Sequence, residues 1–370
     1  MNFGYIDPQP PKPCPIRTGP KCLRTRYDAL VVGTGPAGSV LAYRLARAGL
    51  NVGVLERGRA QQTGTFPESP GELLSQAQLW RHGRRVGPAD GLFDLRVFDD
   101  LMVLTGCGVG GTSLINASVS VVPDESVMGD RRWPTAIRED PEWPHDFDRV
   151  GSMVGTTPLP DGRRVDKLTA LEAMAEAEEV GGVVQRAPLN VAFEDGFNST
   201  GEYMTACNGC GNCMTGCNVG AKQTYDRNYL YGARRLGASV FARCSVQRVE
   251  ATAHGWAVVV ADTMDPSVQR RVEADQVLLA AGALGSTEIL LRSRAVGLDV
   301  SPMLGQRFSG NGDLIAWGFD TDAHVGSVGV PGDSGDGWLG VGPTITGMIR
   351  GTPKDAAQDD PGVDAWMMQD

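Results

Sequence analysis

Two hydrophobic periods run along this chain, and they meet most clearly in residues 27–58. Residues 29–32 are an unbroken apolar run, the pattern of a strand buried on both faces. Leu41 and Leu45 then fall one helical turn apart, with Gly49 placed as a stop. A second apolar run, Val52–Leu55, ends at Glu56. The pattern predicts strand, helix, strand. Further on, Leu168, Leu171, Met174 and Ala175 recur at helical spacing before Gly181, which predicts an amphipathic helix over 165–180. Residues 225–236 read as a helix stopped by Gly237. Runs at 246–249 and 256–260 flank Ala253, His254 and Gly255 and predict a hairpin. Residues 276–281 read as a buried strand that leads through Gly282 and Gly285 into a helix over 286–293. An apolar strand over 99–105 enters a glycine-rich loop, and strand-like runs recur at 343–349 and 365–368. Residues 59–98 and 118–163 show no sustained period. The first reads as a polar excursion and the second as irregular structure covering a cavity.

The turn after the first strand reads Gly33, Thr34, Gly35, Pro36, Ala37, Gly38, a G-x-G-x-x-G fingerprint in its proper strand–helix–strand setting. Gly33 permits a tight turn, Gly35 lets backbone approach a pyrophosphate, and Gly38 lets helix and strand pack closely. The helix start supplies free amides and the positive end of its dipole. Glu56, at the end of the second strand, is placed to accept hydrogen bonds from adenosine ribose hydroxyls. A 2′-phosphate there would meet a carboxylate, which disfavours NADP. This unit alone leaves FAD and NAD open.

Length and charge narrow the function classes. The 370 residues suffice for two domains, one of which can interrupt the other. Net charge is −10, from 34 basic and 44 acidic residues, which argues against nonspecific binding to nucleic acid or anionic membrane. No apolar run is long enough to span a membrane. The first 26 residues are rich in proline and charge and lack a signal-peptide core, so they read as a surface extension of a cytoplasmic protein. Eight cysteines in that setting should be mostly reduced thiols unless they bind metal.

A second glycine-dense loop, residues 106–116, carries Gly106, Gly108, Gly110 and Gly111 followed by Thr112, Ser113 and Asn116. Such backbone can lie flat against a large planar or phosphorylated ligand. A nicotinamide enzyme does not need this loop, whereas a flavin must be held at both ends. With it, the chain resembles the glucose–methanol–choline (GMC) flavin oxidoreductases, in their bacterial cholesterol-oxidase-like branch. The resemblance covers residues 27–313, including GNCMTGCNVGAKQTYDRNYLYGARRLGA at 211–238, AAGALGSTEILLRS at 280–293 and SPMLGQRFSGNGD at 301–313. It implies an α/β fold, with a Rossmann-like FAD-binding domain of GMC type interleaved with a partial substrate-binding α+β domain. The FAD-binding domain would take 27–125 and 205–312, and the substrate-binding domain 126–204 and 313–370. FAD would be held by Gly33, Gly35, Pro36, Ala37, Gly38 and Glu56, with Gly110, Gly111, Ser113 and Asn116 near the pyrophosphate and ring. Val246 matches the position whose backbone clasps the adenine, and Gly282 the closing turn of the domain.

The chain departs from the family pattern in its histidines. The resemblance implies a catalytic His in a segment beyond residue 370, and a chain that is C-terminally incomplete. His82, His145, His254 and His324 each lie in a polar or loop context and read as surface residues. Cys207, Cys210, Cys213 and Cys217 have the spacing of a ferredoxin run, with Asn218 where proline is usual and no second run to complement them. A packed thiol-lined turn is the expectation, with an iron–sulfur cluster or structural zinc as the alternatives.

The resemblance implies FAD-dependent oxidation of the CH–OH group of a bulky apolar alcohol, with a 3-hydroxysteroid as the candidate. Oxygen or another acceptor would reoxidise the flavin. The rivals are a non-catalytic flavin or iron–sulfur carrier that passes electrons to a partner protein, and an NAD-linked dehydrogenase.

Overall fold

The computed structural model of the chain describes residues 12–176, 183–316, 325–326, 340–351 and 366–370. They divide into two compact units. The first draws on Met1–Gln62, Ser69–Leu114 and Tyr225–Gly312, the second on Thr63–Glu68, Ile115–Thr224 and Asp313–Asp370.

The first unit is built on a seven-stranded sheet in the order Arg17–Thr18, Ser239–Ala242, Val52–Leu55, Arg26–Val32, Gln269–Leu279, Gly255–Asp262, Cys244–Thr252. Neighbours among the first five strands are parallel, and the last three form an antiparallel meander. The predicted hairpin is the outer turn of that meander, with Ala251 opposite Trp256. Ala29, Leu30 and Val31 are fully buried, as a strand covered on both faces requires. The helix Pro36–Arg47 crosses between the two central strands, with proline at its first turn. Its buried face is Gly38, Ser39, Ala42 and Ala46, while Leu41 and Leu45 are only partly buried. Small residues let the helix axis approach the sheet, and the leucines that reveal the period sit at the margin.

A second sheet of this unit departs from the expectation for residues 59–98. Strands Arg84–Val86, Ala77–Arg81, Phe93–Val97 and Met102–Gly106 form a four-stranded sheet in that order. Pairing of Leu79 with Val86 and Leu95, and of Leu95 with Leu104, puts these four on one face, together with Met102. That apolar face is the open one: Val86 is 69% and Met102 70% exposed. The opposite face carries Gln78, Trp80, Asp94 and Arg96, and there Gln78 and Asp94 are buried. Arg57 donates to Gln78 Oε1 at 3.0 Å and to Asp94 Oδ2 at 2.7 Å, so the buried polar face is an ion-paired layer. The period of two is present in the sequence, but polar side chains face inward, which hides it from a reading that assigns polar runs to loops.

In the second unit, Val183–Arg186, Gly347–Gly351 and Trp366–Gln369 form an antiparallel sheet with the 347–351 strand central. The helix Asp166–Glu176 buries Leu168 and Leu171. A Cβ on Gly347 would come within 2.5 Å of Leu168 Cδ1, so the strand is glycine where the helix presses on it. The Asp370 carboxylate accepts from the Thr346 hydroxyl, and from Gly347 N at 3.0 Å. The predicted strand over 343–349 thus starts four residues later, after Lys167 Nζ has taken the carbonyls of Pro343 and Thr344. Residues 118–163 are less irregular than expected, because they contain the helix Trp143–Met153, on which Trp143 and Phe147 stack at 5.8 Å. Among the described residues no helix is long and apolar enough to cross a membrane.

Candidate functional site

The carboxyl ends of the 26–32, 52–55 and 269–279 strands converge in the first unit, and the candidate site lies there. Gly33 follows the first strand with φ +100°, and its N–H donates to Leu55 O at 2.8 Å. A Cβ on Gly33 would sit 2.4 Å from Ala280 O, and one on Gly38 would sit 2.0 Å from Gly33 O. Both glycines are demanded by backbone packing. Gly35 is different. Its φ is −66°, open to any residue, and among the described residues nothing lies within 4 Å of where its Cβ would be. No neighbour in the protein needs a glycine there.

Gly35 caps the helix Pro36–Arg47, and no side chain caps that N-terminus. Ser39 N is the first to bond back, to Gly35 O at 2.9 Å. The amides of Ala37 and Gly38 are left as the orphan donors of a helix start. A group with anionic oxygens fits this arrangement of open space, free amides and positive dipole end.

The second glycine loop backs onto the first. A Cβ on Gly111 would lie 2.6 Å from Gly35 Cα, and Gly110 and Gly111 have φ of +114° and +60°. Gly110 O accepts from Ser113 Oγ at 2.7 Å, and Ser113 Oγ accepts from Tyr225 N at 3.0 Å. Ser113 therefore fixes the loop and ties it to the chain ahead of the helix Tyr229–Arg235.

Thr34, which the fingerprint spacing does not single out, joins these parts. It is fully buried. Its hydroxyl donates to Glu56 Oε2 at 2.6 Å and accepts from Gly110 N at 3.1 Å. Its backbone N–H donates to the same carboxylate oxygen at 3.1 Å. Gly58 N donates to the other oxygen, Oε1, at 2.8 Å. Glu56 is only 8% exposed, and three of its lone-pair positions are used within the protein. The only signal for Thr34 in the sequence is a hydroxyl between two glycines of the fingerprint.

The remaining expected residues are placed as follows. Val246 is buried in the core of the meander, and its carbonyl accepts from Arg292 Nη2 at 3.3 Å. The chain nearest the Glu56 corner comes slightly earlier: Cys244 N donates to Glu56 O at 2.7 Å and Arg243 N to Gly58 O at 2.9 Å. Gly282 opens the helix Gly282–Arg294 with φ +74° and free space on its Cβ side. Asn116 belongs to the second unit, where its Oδ1 accepts from Ser118 N at 3.3 Å and its carbonyl from Lys222 Nζ at 2.6 Å. His82, His145 and His254 are exposed, at a hairpin tip, on a helix and in a turn. His324 lies outside the described residues.

Also in the second unit, Cys207, Cys210, Cys213 and Cys217 line one small cavity with Val191, Val219, Ala221, Lys222 and Pro343. All are thiols. Burial pushes Cys207 up to about 12 and raises Cys210. Among the described residues no group of three or more His, Cys, Asp or Glu is arranged to hold a metal ion. Asn218 ties two segments together, since its Oδ1 accepts from Phe66 N at 2.8 Å and its Nδ2 donates to Phe66 O at 3.0 Å. That reciprocal pair holds the 63–68 segment over Gly216, where a Cβ would strike the Phe66 ring at 2.0 Å.

Comparison with known proteins agrees with the geometry. Residues 27–310 match the family model of the GMC oxidoreductases. The chain is 30% identical over 326 residues to a cholesterol oxidase of Acinetobacter baumannii, covering 81% of this chain and 57% of that one. It is 32% identical over 291 residues to a cholesterol oxidase of Mycobacterium tuberculosis, covering 74% and 49%. A long-chain-alcohol oxidase of Arabidopsis thaliana is 27% identical over 346 residues, covering 86% and 40%. The chain thus spans about half the length of these three relatives, 40% to 57%. With 27–310 matched and the two glycine loops in contact, the chain belongs to the GMC oxidoreductases, flavoenzymes whose cofactor is FAD.

Proposed function

We propose that this chain binds FAD through its first unit and serves the oxidation of a bulky apolar alcohol. The observation that carries the reading is Gly35. Its missing side chain is required by no neighbour among the described residues and by no backbone strain, while Gly111 closes the opposite side at backbone distance. Room is left for the diphosphate. On this reading Gly33, Gly35, Pro36, Ala37 and Gly38 shape the phosphate turn. Gly110, Gly111, Ser113 and Asn116 hold the diphosphate and ring region, Val246 offers backbone to the adenine, and Gly282 closes the domain. Glu56 keeps one lone-pair position for a ribose hydroxyl. Its larger role is to hold Thr34 and Gly58, and through Thr34 the amide of Gly110.

Residues 27–125 and 205–312 are taken as the FAD-binding domain, and 126–204 with 313–370 as part of the substrate-binding domain. Bound FAD would supply the acceptor for the carbinol hydride. The chain's part is to bind and orient that group. A positioned base must also take the hydroxyl proton. His82, His145 and His254 are exposed, and we assign the proton step to none of them. We take the substrate to be a bulky apolar alcohol, with 3-hydroxysteroids first and long-chain alcohols second. This follows the names of the relatives with which the chain shares 27–32% identity. Oxygen or another acceptor completes the cycle. Eight thiols without a disulfide suit the cytoplasm.

The test is to release and identify the flavin of the purified protein. A panel of sterols and long-chain alcohols is then added without oxygen while the flavin absorbance is followed. FAD in the protein, with bleaching confined to apolar alcohols, is the expected result. A protein without flavin, or one bleached by polyols instead, overturns the reading.

A further inference from the structure

Three arginines surround the corner at the end of the 52–55 strand, and two of them are paired. Arg57 holds Asp94 at 2.7 Å, and Arg243 donates from both Nε and Nη2 to Asp90 Oδ2 at 2.8 Å. Arg59 differs. Its Nε is buried without a hydrogen-bond partner, and among the described residues no carboxylate pairs with its guanidinium. Its backbone is fixed against the second glycine loop, where its carbonyl accepts from Val109 N at 3.0 Å. Gly108 is glycine at the same contact: a Cβ there would lie 3.1 Å from Arg59 O.

A partly buried cation with an unused buried donor is costly to keep, since that donor loses its hydration for nothing. Glu56, three residues back, is not its partner: its carboxylate accepts from Thr34 and Gly58 instead. An anionic acceptor from outside the chain would satisfy the Arg59 Nε donor. Guanidinium is the side chain best matched to phosphate oxygens, because it offers parallel N–H donors in a fixed plane.

We infer that Arg59 is a further cofactor-anchoring residue, donating to the diphosphate of FAD. This rests on the FAD reading above. It shifts the charged recognition at this corner from Glu56, which organises the loops, to Arg59, which meets the ligand.

The test compares wild type, Arg59→Met and Arg59→Lys for binding of FAD and of ADP to flavin-depleted protein, with thermal unfolding of each depleted protein as control. Arg59→Met should weaken both ligands by about tenfold or more, the loss of a charge-assisted bond. It should also flatten the salt dependence of ADP binding, because a phosphate contact is lost. Arg59→Lys should recover part of the affinity while keeping a point charge. Thermal unfolding of depleted Arg59→Met should match wild type or exceed it, since the buried Arg59 Nε has no partner among the described residues. Arg59→Met that bound ADP as tightly as wild type, with the same salt dependence, would overturn the inference and leave the FAD reading intact. Wild-type protein that bound neither FAD nor ADP would overturn the FAD reading, and this inference with it.

Discussion

Gly111 and Gly35 are in backbone contact: a Cβ on Gly111 would stand 2.6 Å from Gly35 Cα. Two glycine loops that are 76 residues apart in sequence, counted between these positions, thereby form one surface. Gly111 also has φ +60°, a left-handed conformation costly for other residues. Gly111→Ala should therefore destabilise the protein by about 1–3 kcal/mol and weaken FAD retention at the same time. Urea unfolding with and without FAD checks both. A variant as stable as wild type would show that the loops can part freely.

Thr34→Val keeps the shape of the side chain and removes the hydroxyl that bridges Glu56 and Gly110. It leaves a buried carboxylate oxygen short of one donor and a buried amide without its acceptor. The expected cost is about 1–3 kcal/mol in unfolding free energy, with Thr34→Ser much closer to wild type. Equal losses for Val and Ser would mean that packing of the methyl group, and not the hydroxyl, is what counts.

The sequence exposed the cofactor turn because its requirements are local. Gly33 takes a left-handed φ in the turn itself, and a Cβ on Gly38 would strike Gly33 O at 2.0 Å, five residues back in the same motif. Spacing alone encodes such needs. Thr34 and Arg59 were not legible, since their importance depends on Gly110, Gly58 and Val109 being brought beside them by the fold. The four-stranded sheet was missed for another reason: Gln78 and Asp94 are buried while Val86 and Met102 are open, which reverses the usual assignment of polar to outside. In the helix Pro36–Arg47, Leu41 and Leu45 gave the period correctly, yet Ala42 and Ala46 form the buried face.

The open apolar face of that sheet gives a direct prediction. Met102→Lys and Val86→Lys place a charge where the side chain is about seven-tenths exposed. Each should change stability by less than about 0.5 kcal/mol and reduce binding of a hydrophobic dye. A loss of several kcal/mol in either variant would show that something covers this face in solution.

Three thiols contribute to the alkaline limit. Burial pushes Cys107, Cys207 and Cys244 from 9.0 up to about 12 in the folded chain. In the unfolded chain they lose their protons near the ordinary value, so between pH 9 and 12 the folded state holds more protons than the unfolded. Stability from these groups is fully present below pH 9 and falls as pH rises toward 12. Urea midpoints should be level from pH 7 to about 8.5 and decline steadily above, with Cys107→Ala and Cys244→Ala each reducing the decline. A midpoint that stayed level to pH 11 would contradict the burial of these thiols.

The central claim is that the space beside Gly35 is filled by the diphosphate of FAD, and Gly35→Val tests it most directly. Valine at this position meets no protein atom within 4 Å of its Cβ, and φ is −66°. The flavin-depleted variant should therefore unfold at nearly the temperature of depleted wild type. The measurement is FAD bound per chain after equilibration and gel filtration. The account predicts FAD on wild type and essentially none on Gly35→Val, at equal stability of the two depleted proteins. Gly35→Val that retained FAD as wild type does would contradict it.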